Sequence, residues 1–281
     1  MSQCQLENKD GWLSLVGEFS AKTRKLQSLN KYGRIDKLSL TKQSLLTAKL
    51  ARHFSELQSV RWLWLWCSVN RTAMRHIMTI PDLETLDILD IRPLGRLKNF
   101  SEASTLKVFR YNMGLSEIDI LEIAKLPVLQ ELGAQSSAIT QRALEALLQI
   151  PTLENLDLEA TTFDDDMAAI VAESKTIQHL DVGASRLTSQ GLKKISAMTQ
   201  LRSLDIWAID IVEADLEFLS KLSKLEYLSI GGYDDQTVLT AKNILPRLKE
   251  IPSLKRIWLD GIILTEHEKL ALKAQYEYFR N

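Results

Sequence analysis

Leu153-Glu154-Asn155-Leu156-Asp157-Leu158 reads L-x-x-L-x-L, and the phrase returns as Ile177-Gln178-His179-Leu180-Asp181-Val182 and as Leu201-Arg202-Ser203-Leu204-Asp205-Ile206. With Ile, Val, Phe or Ala admitted at the apolar places, it begins at Ile35, Val60, Leu83, Leu106, Leu129, Leu153, Ile177, Leu201, Leu225 and Leu254. Successive starts lie 23 to 25 residues apart, except for a last interval of 29. Copies at so constant a period mark a repeat array. Within a copy, Leu156-x-Leu158 alternates with period two, the pattern of a short strand with one buried face. Like strands joined by like connections pair in parallel.

Between the strands the period changes. Ile139, Ala143, Leu144, Leu147 and Leu148 fall on one side of a helix, with Thr140 placed to cap its start and Pro151 beyond its end. Leu187, Leu192, Ile195 and Met198 repeat the scheme two copies later, with Thr188 as the cap. One such copy cannot bury its apolar face alone, so the array folds as a stack. Residues 1–34 read as an N-terminal cap, partly helical, with Trp12, Leu13, Val16 and Phe19 on an amphipathic helix. Residues 35–264 hold the repeats. Residues 265–281 read as a capping helix opened by Thr265 and Glu268, with Leu270, Leu272, Tyr276 and Phe279 among its apolar residues. The long last interval holds an insertion around Gly231-Gly232-Tyr233-Asp234-Asp235.

The totals fit this organisation. The chain has 281 residues, more than one compact core usually holds, with 45% hydrophobic and 25% charged residues. A net charge of −1 gives no bulk attraction to nucleic acid. Two distant cysteines, Cys4 and Cys67, make no disulfide framework and no CxxC pair. The polar stretch Met1 to Asp10 lacks the apolar region of a signal peptide, and no apolar run approaches about 18 residues. A cytoplasmic protein that does not enter membranes is expected.

The ten phrases resemble the leucine-rich-repeat family over about residues 35–264. The helical connections and the period are similar to those of stand-alone bacterial members and of ribonuclease-inhibitor-like horseshoes. The resemblance implies an α/β fold: a curved solenoid with about ten parallel strands on the concave face and helices on the convex face. One departure is local. Many family repeats carry Asn or Cys three residues after L-x-L, where this chain has Ser137, Thr161 and Ser185. A hydroxyl there still ties down the turn backbone.

Strand alternation writes out the concave face, because residues before, between and after the last two apolar places point to solvent. Five of the six tryptophans fall there, namely Trp62, Trp64, Trp66, Trp207 and Trp258, leaving only Trp12 elsewhere. Exposed large aromatics mark interaction sites. The competing reading buries the Trp62 strand under the N-terminal segment or a loop. Copies five to eight place Glu131, Asp157, Glu159, Asp181 and Asp205 on the face with no Lys or Arg. Asp157, Asp181 and Asp205 share a column with an expected spacing of about 5 Å. Such a column welcomes a cation, although Asp in L-D-L is also a common solvated residue of the family. Asp87, Arg110 and Tyr227 complete the candidate partner-binding set.

Catalytic chemistry does not assemble. His179 near Asp181 lacks a nucleophile, and a straight carboxylate column does not wrap a hard cation in about six to eight oxygens. There is no phosphate-binding glycine loop, and Lys and Arg are not concentrated on the ladder. Neither enzyme activity, cofactor, metal nor nucleic acid is expected. The expectation is a monomeric protein-binding module. By resemblance to inhibitor horseshoes it is an immunity protein that neutralises a cognate, basic toxin. The alternative is an adaptor that recruits a protein to a larger complex, and a third reading uses the tryptophans as carbohydrate platforms.

Overall fold

A computed structural model of the chain describes residues 5–9, 11–16, 29–54, 56–89, 97, 100–232 and 239–281. They form two compact units, Met1–Ser136 with Gln149–Leu153 and Ser137–Leu148 with Glu154–Asn281. In the first unit five phrases form β3 (Arg34–Leu46), β4 (Ser59–Val69), β5 (Thr85–Ile88), β6 (Val108–Tyr111) and β7 (Glu131–Ala134). They pair in parallel and in chain order. In the second unit the other five form β8 (Asn155–Asp157), β9 (His179–Asp181), β10 (Ser203–Trp207), β11 (Tyr227–Gly231) and β12 (Arg256–Asp260), again parallel and in order. Each phrase therefore becomes a strand.

Two additions flank these strands. β1 (Gln5–Lys9) and β2 (Trp12–Val16) form an antiparallel hairpin, and β2 then runs parallel to β3. The helix expected over Trp12 and Val16 is thus a strand. Leu13 and Leu15 are buried while Trp12, Ser14 and Val16 are half-buried, so the operative period is two. Phe19, the remaining member of the expected helix, lies outside the described residues. At the other end the capping box at Thr265 is present, with Glu268 N–H donating to Thr265 Oγ1 at 3.2 Å and Thr265 N–H to Glu268 Oε2 at 2.7 Å. The helix it opens ends at Gln275, and Tyr278–Arg280 becomes β13, parallel to β12. Phe279 is therefore a strand residue. The insertion's residues 233–238 lie outside the described residues.

Helices α1 (Ala48–Ala51) to α3 (Glu117–Ile123), with α2 at Arg71–Met78, belong to the first unit. The second holds α4 (Gln141–Leu148), α5 (Asp165–Ala172), α6 (Ser189–Ile195), α7 (Ala241–Leu248) and α8 (Glu266–Gln275). The expected caps are in place. Thr140 Oγ1 accepts from Ala143 N–H at 3.2 Å, and Thr188 Oγ1 accepts from Gln190 N–H at 3.2 Å. The apolar members of each phrase, such as Leu156, Leu180, Leu204 and Leu228, are buried in register. Hydroxyls stitch copies together: Thr105 Oγ1 donates to Leu83 O at 2.9 Å, Thr152 to Leu129 O at 2.7 Å and Ser253 to Leu225 O at 2.8 Å.

Where a strand turns towards its helix, Ser136, Ala160, Ala184 and Ala208 adopt φ of 57°, 55°, 50° and 54°. The left-handed turn lets Ala160, Ala184 and Ala208 donate their N–H groups to Gly183, Trp207 and Gly231 carbonyls at 2.7–2.9 Å. The hydroxyl that replaces the family's Asn acts as expected at Thr161, whose Oγ1 donates to Leu158 O at 2.7 Å and accepts from Phe163 N–H at 3.3 Å. A rim of alternating charge precedes the strands. Arg61 lies between Asp36 at 3.8 Å and Glu84 at 3.0 Å, and Lys107 reaches Glu84 at 3.3 Å. In the second unit Glu226 lies between Arg202 at 2.5 Å and Lys255 at 3.0 Å. The neighbouring cations hold both Glu84 and Glu226 below the usual carboxylate range.

Candidate protein-binding face

In each unit the sheet face turned away from the leucine core, with the turns that follow its strands, carries predicted site residues, and the two sets differ chemically. In the second unit, parallel register places Asp157, Asp181 and Asp205 side by side, followed by Ser229, Trp258 and Arg280. Each Asp also has a backbone task. Its Oδ1 accepts the N–H two residues on: Glu159 at 3.0 Å, Gly183 at 2.9 Å and Trp207 at 2.9 Å. The repeated L-D-L thus closes each strand with a side-chain turn, a role that the solvated-residue reading missed. The same bonds turn the carboxylates towards one another. A Cβ on Gly183 would meet Asp181 Oδ1 and Asp205 Oδ1, each at 3.3 Å.

Crowding of like charge follows. Burial, then repulsion from Asp205 and Asp157, pushes Asp181 up to about 8. Burial raises Asp205, against hydrogen bonds from Trp207 N–H and Ser229. Burial, then Asp157 and Asp205, raises Glu159. Asp157, Glu159 and Asp181 bring one oxygen each within 4.8 Å of one another. That spacing suits a cation, but a strand ladder offers these oxygens from one side only. Tyr227 is pushed up to about 12 by burial and then by Asp205.

Other predicted positions are engaged within the chain. The Arg256 guanidinium lies 5.3 Å from the Tyr227 ring centre, and that of Arg280 lies 4.2 Å from Trp258. Ser39 and Ser229, expected to face solvent, are buried. Ser39 Oγ donates to Ser14 on the hairpin at 2.8 Å. Glu131 does not extend the acidic set, since Arg110 bridges it at 2.5 Å to Asp87 at 2.8 Å.

In the first unit Ser14, Ser39, Trp64, Asp87, Arg110 and Gly133 share one column, with Lys37, Trp62, Thr85, Val108 and Glu131 beside it. Trp62 Nε1–H donates to Asp87 Oδ2 at 2.5 Å. Arg110 crosses Gly133, where a Cβ would meet its side chain at 3.2 Å. The Trp12 ring centre lies 4.9 Å from that of Trp62 and 5.7 Å from that of Trp64, and Trp64 stacks on Trp66 at 6.2 Å with 20° between planes. Lys37 Nζ sits 5.6 Å from the Trp12 ring centre and 5.1 Å from that of Trp62. The strand is covered in one part and exposed in another. Trp62 and Trp64 are half covered by neighbours that include Trp12, whereas Trp66 is 57% exposed.

No protein-family model matches the chain, and no curated protein matches it in sequence. Solved structures do. An internalin from Listeria monocytogenes matches at 16% identity and a TM-score of 0.55 over 96% of this chain and 86% of that one. A TLR13–ssRNA13 complex matches at 18% identity and 0.52 over 86% of this chain, which spans 38% of the TLR13 chain. The chain has the leucine-rich-repeat fold. Within it, Trp12 lies against the candidate residues Trp62 and Trp64, a placement that sequence reasoning missed. Its signal was present in the sequence pair Asp-Gly at positions 10 and 11, a pattern favoured in hairpin turns, followed by the alternation Trp12-Leu13-Ser14-Leu15. Lys9 pairs with Trp12 in the antiparallel hairpin, and β2 runs parallel to β3, which brings Trp12 to the edge of the repeat strands. Among the described residues no helix is long and apolar enough to cross a membrane.

Proposed function

We propose that this chain is a non-catalytic protein-binding module that neutralises a cognate basic toxin or effector, as an immunity protein does, acting in the cytoplasm and free as a monomer. The observation that carries the reading is the column Asp157–Asp181–Asp205. Asp181 is raised by burial and by the charges of Asp205 and Asp157, Asp205 is raised by burial, and a cationic side chain from outside offsets the repulsion at Asp181. Toxins that act on polyanions are commonly basic. The binding set is Asp157, Glu159, Asp181, Asp205 and Trp207 in the second unit, and Trp62, Trp64, Trp66, Asp87, Arg110 and Glu131 in the first. Tyr227 and Trp258 contribute behind their stacked arginines.

The test is capture from native extract on the immobilised chain, beside its Asp157→Asn/Asp181→Asn/Asp205→Asn variant. A stoichiometric basic protein retained by the parent and lost from the variant is the expected result. Equal retention by both, or an acidic partner, overturns the reading. If the captured protein stays active in the complex, neutralisation is wrong and recruitment by an adaptor stands.

A further inference from the structure

The carboxylates of the acidic column cannot relax by turning apart. Asp157, Asp181 and Asp205 each hold Oδ1 on the N–H two residues on, so the backbone fixes where the oxygens stand. Asp157, Glu159 and Asp181 then bring one oxygen each within 4.8 Å of one another. On the other side of Asp181, a Cβ at Gly183 would lie 3.3 Å from both Asp181 Oδ1 and Asp205 Oδ1, and glycine adds no side chain to part them. The groups that act on Asp181 are Asp205 from β10 and Asp157 and Glu159 from β8 and the turn after it, and Tyr227 on β11 feels its charge in turn. His179 stands on the same face of β9, two residues earlier, and Arg256 lies over the Tyr227 ring. Among the described residues no Lys or Arg acts on Asp181 or Asp205. Like charges this close in a partly buried place do not all ionise at neutral pH. A proton or an outside cation can relieve them, and the two compete for the same oxygens.

We infer that the free column holds a proton at neutral pH and that the partner's cationic side chain displaces it on binding. The inference rests on the basic-partner reading and adds its regulation: association releases a proton and tightens as the pH rises. Burial, then the charges of Asp205 and Asp157, places the Asp181 titration at about 8, so the proton is present in the free chain below that pH. Pairing with a cation favours the ionised form, so the bound state holds fewer protons than the free one. Mild acid therefore loosens the complex and mild alkali retains it. Carboxylates in the ordinary range are ionised throughout and give no such dependence.

Two measurements on the intact chain test this. Carbon-13 spectra of the aspartate-labelled protein without ligand, from about pH 5 to 9, should show one carboxyl titrating near 8 that is missing from Asp181→Asn. Hexalysine, acetylated and amidated at its ends so that none of its groups titrates below about pH 9, is then titrated calorimetrically at low salt. Its affinity should rise about fivefold or more between about pH 6 and 8.5, and at neutral pH the heat should differ between phosphate and Tris buffers as a proton is released. Asp181→Asn should lose both effects. That variant keeps an acceptor for Gly183 N–H, and the spectra of the free parent do not depend on its folding. Aspartates that all titrate in the ordinary range, or equal heats in the two buffers, overturn the inference and leave the basic-partner reading standing. A pH dependence kept by Asp181→Asn belongs to His179 and also overturns it. Hexalysine that binds at no pH overturns both.

Discussion

The Trp12 indole meets that of Trp62 edge-on, with ring centres 4.9 Å apart and 65° between planes, although strand β3 lies between their own strands. The contact spans Lys37, whose ammonium lies near both rings. It fastens the hairpin to the repeats. A double-mutant cycle with Trp12→Ala and Trp62→Ala should give a coupling of about 0.5–1.5 kcal/mol, read by denaturant unfolding. Additive losses would mean that the indoles only touch.

Proton linkage in the acidic column has a definite sign. Asp181 titrates near 8 in the folded chain against a reference of 3.8, so the folded state holds the proton more tightly. Its contribution is fully present below the unfolded value and is lost as pH rises through the folded one. Stability should therefore decline between about pH 4 and 8 through this group. Asp181→Asn keeps an acceptor for Gly183 N–H and removes the charge. The variant should exceed the parent by on the order of 1 kcal/mol at pH 8.5, after allowance for solvent screening, and match it near pH 4. Urea titrations across that range give the comparison, and a parent that gains on Asp181→Asn with rising pH contradicts the assignment.

Ala184 holds φ at 50° while donating to Trp207 O at 2.7 Å. Glycine adopts that conformation without Cβ strain, against a larger entropy in the unfolded chain. Ala184→Gly should raise stability by about 0.5 kcal/mol or more, the reverse of the usual penalty. Thermal melts of this variant beside Ala168→Gly in helix α5, which should fall by about 1 kcal/mol, separate the two effects.

Gly191 is fixed by a different constraint. Asp165 Oδ1 accepts from both Gly191 N–H at 2.9 Å and Thr188 N–H at 2.8 Å, joining α5 to the start of α6. A Cβ on Gly191 would collide with Leu187 Cδ1 and with that same oxygen. Gly191→Ala should cost about 2–3 kcal/mol by calorimetry or denaturant unfolding. A loss within about 0.5 kcal/mol would show that the helix pair yields freely.

Strands β3–β12 could be placed from sequence because a buried face imposes period two wherever Leu-x-Leu occurs, as at Leu156 and Leu158. Helix starts followed equally from Thr140 and Thr188. What escaped depended on contacts between copies. The neutralisation of Glu131 by Arg110 appears only when register sets residues 21 apart side by side. Arg280 over Trp258 required β13, and the apolar spacing of Leu272, Tyr276 and Phe279 fits one long helix as well as a shorter helix followed by a strand. The column of aspartates was legible, but its inward hydrogen bonds were not, since one sequence position shows a residue and not the N–H it faces.

The rim of alternating charge gives the first four repeats and the last three an ordinal place. Neighbouring copies share so much of their phrase that stacking the wrong pair would bury nearly the same leucines, and apolar burial alone cannot tell them apart. Skip the copy bearing Glu84, and Arg61 meets Lys107; skip the one bearing Glu226, and Arg202 meets Lys255. Omission is penalised by like-charge contact at each of these places, so the rim acts there as a tally against a skipped copy.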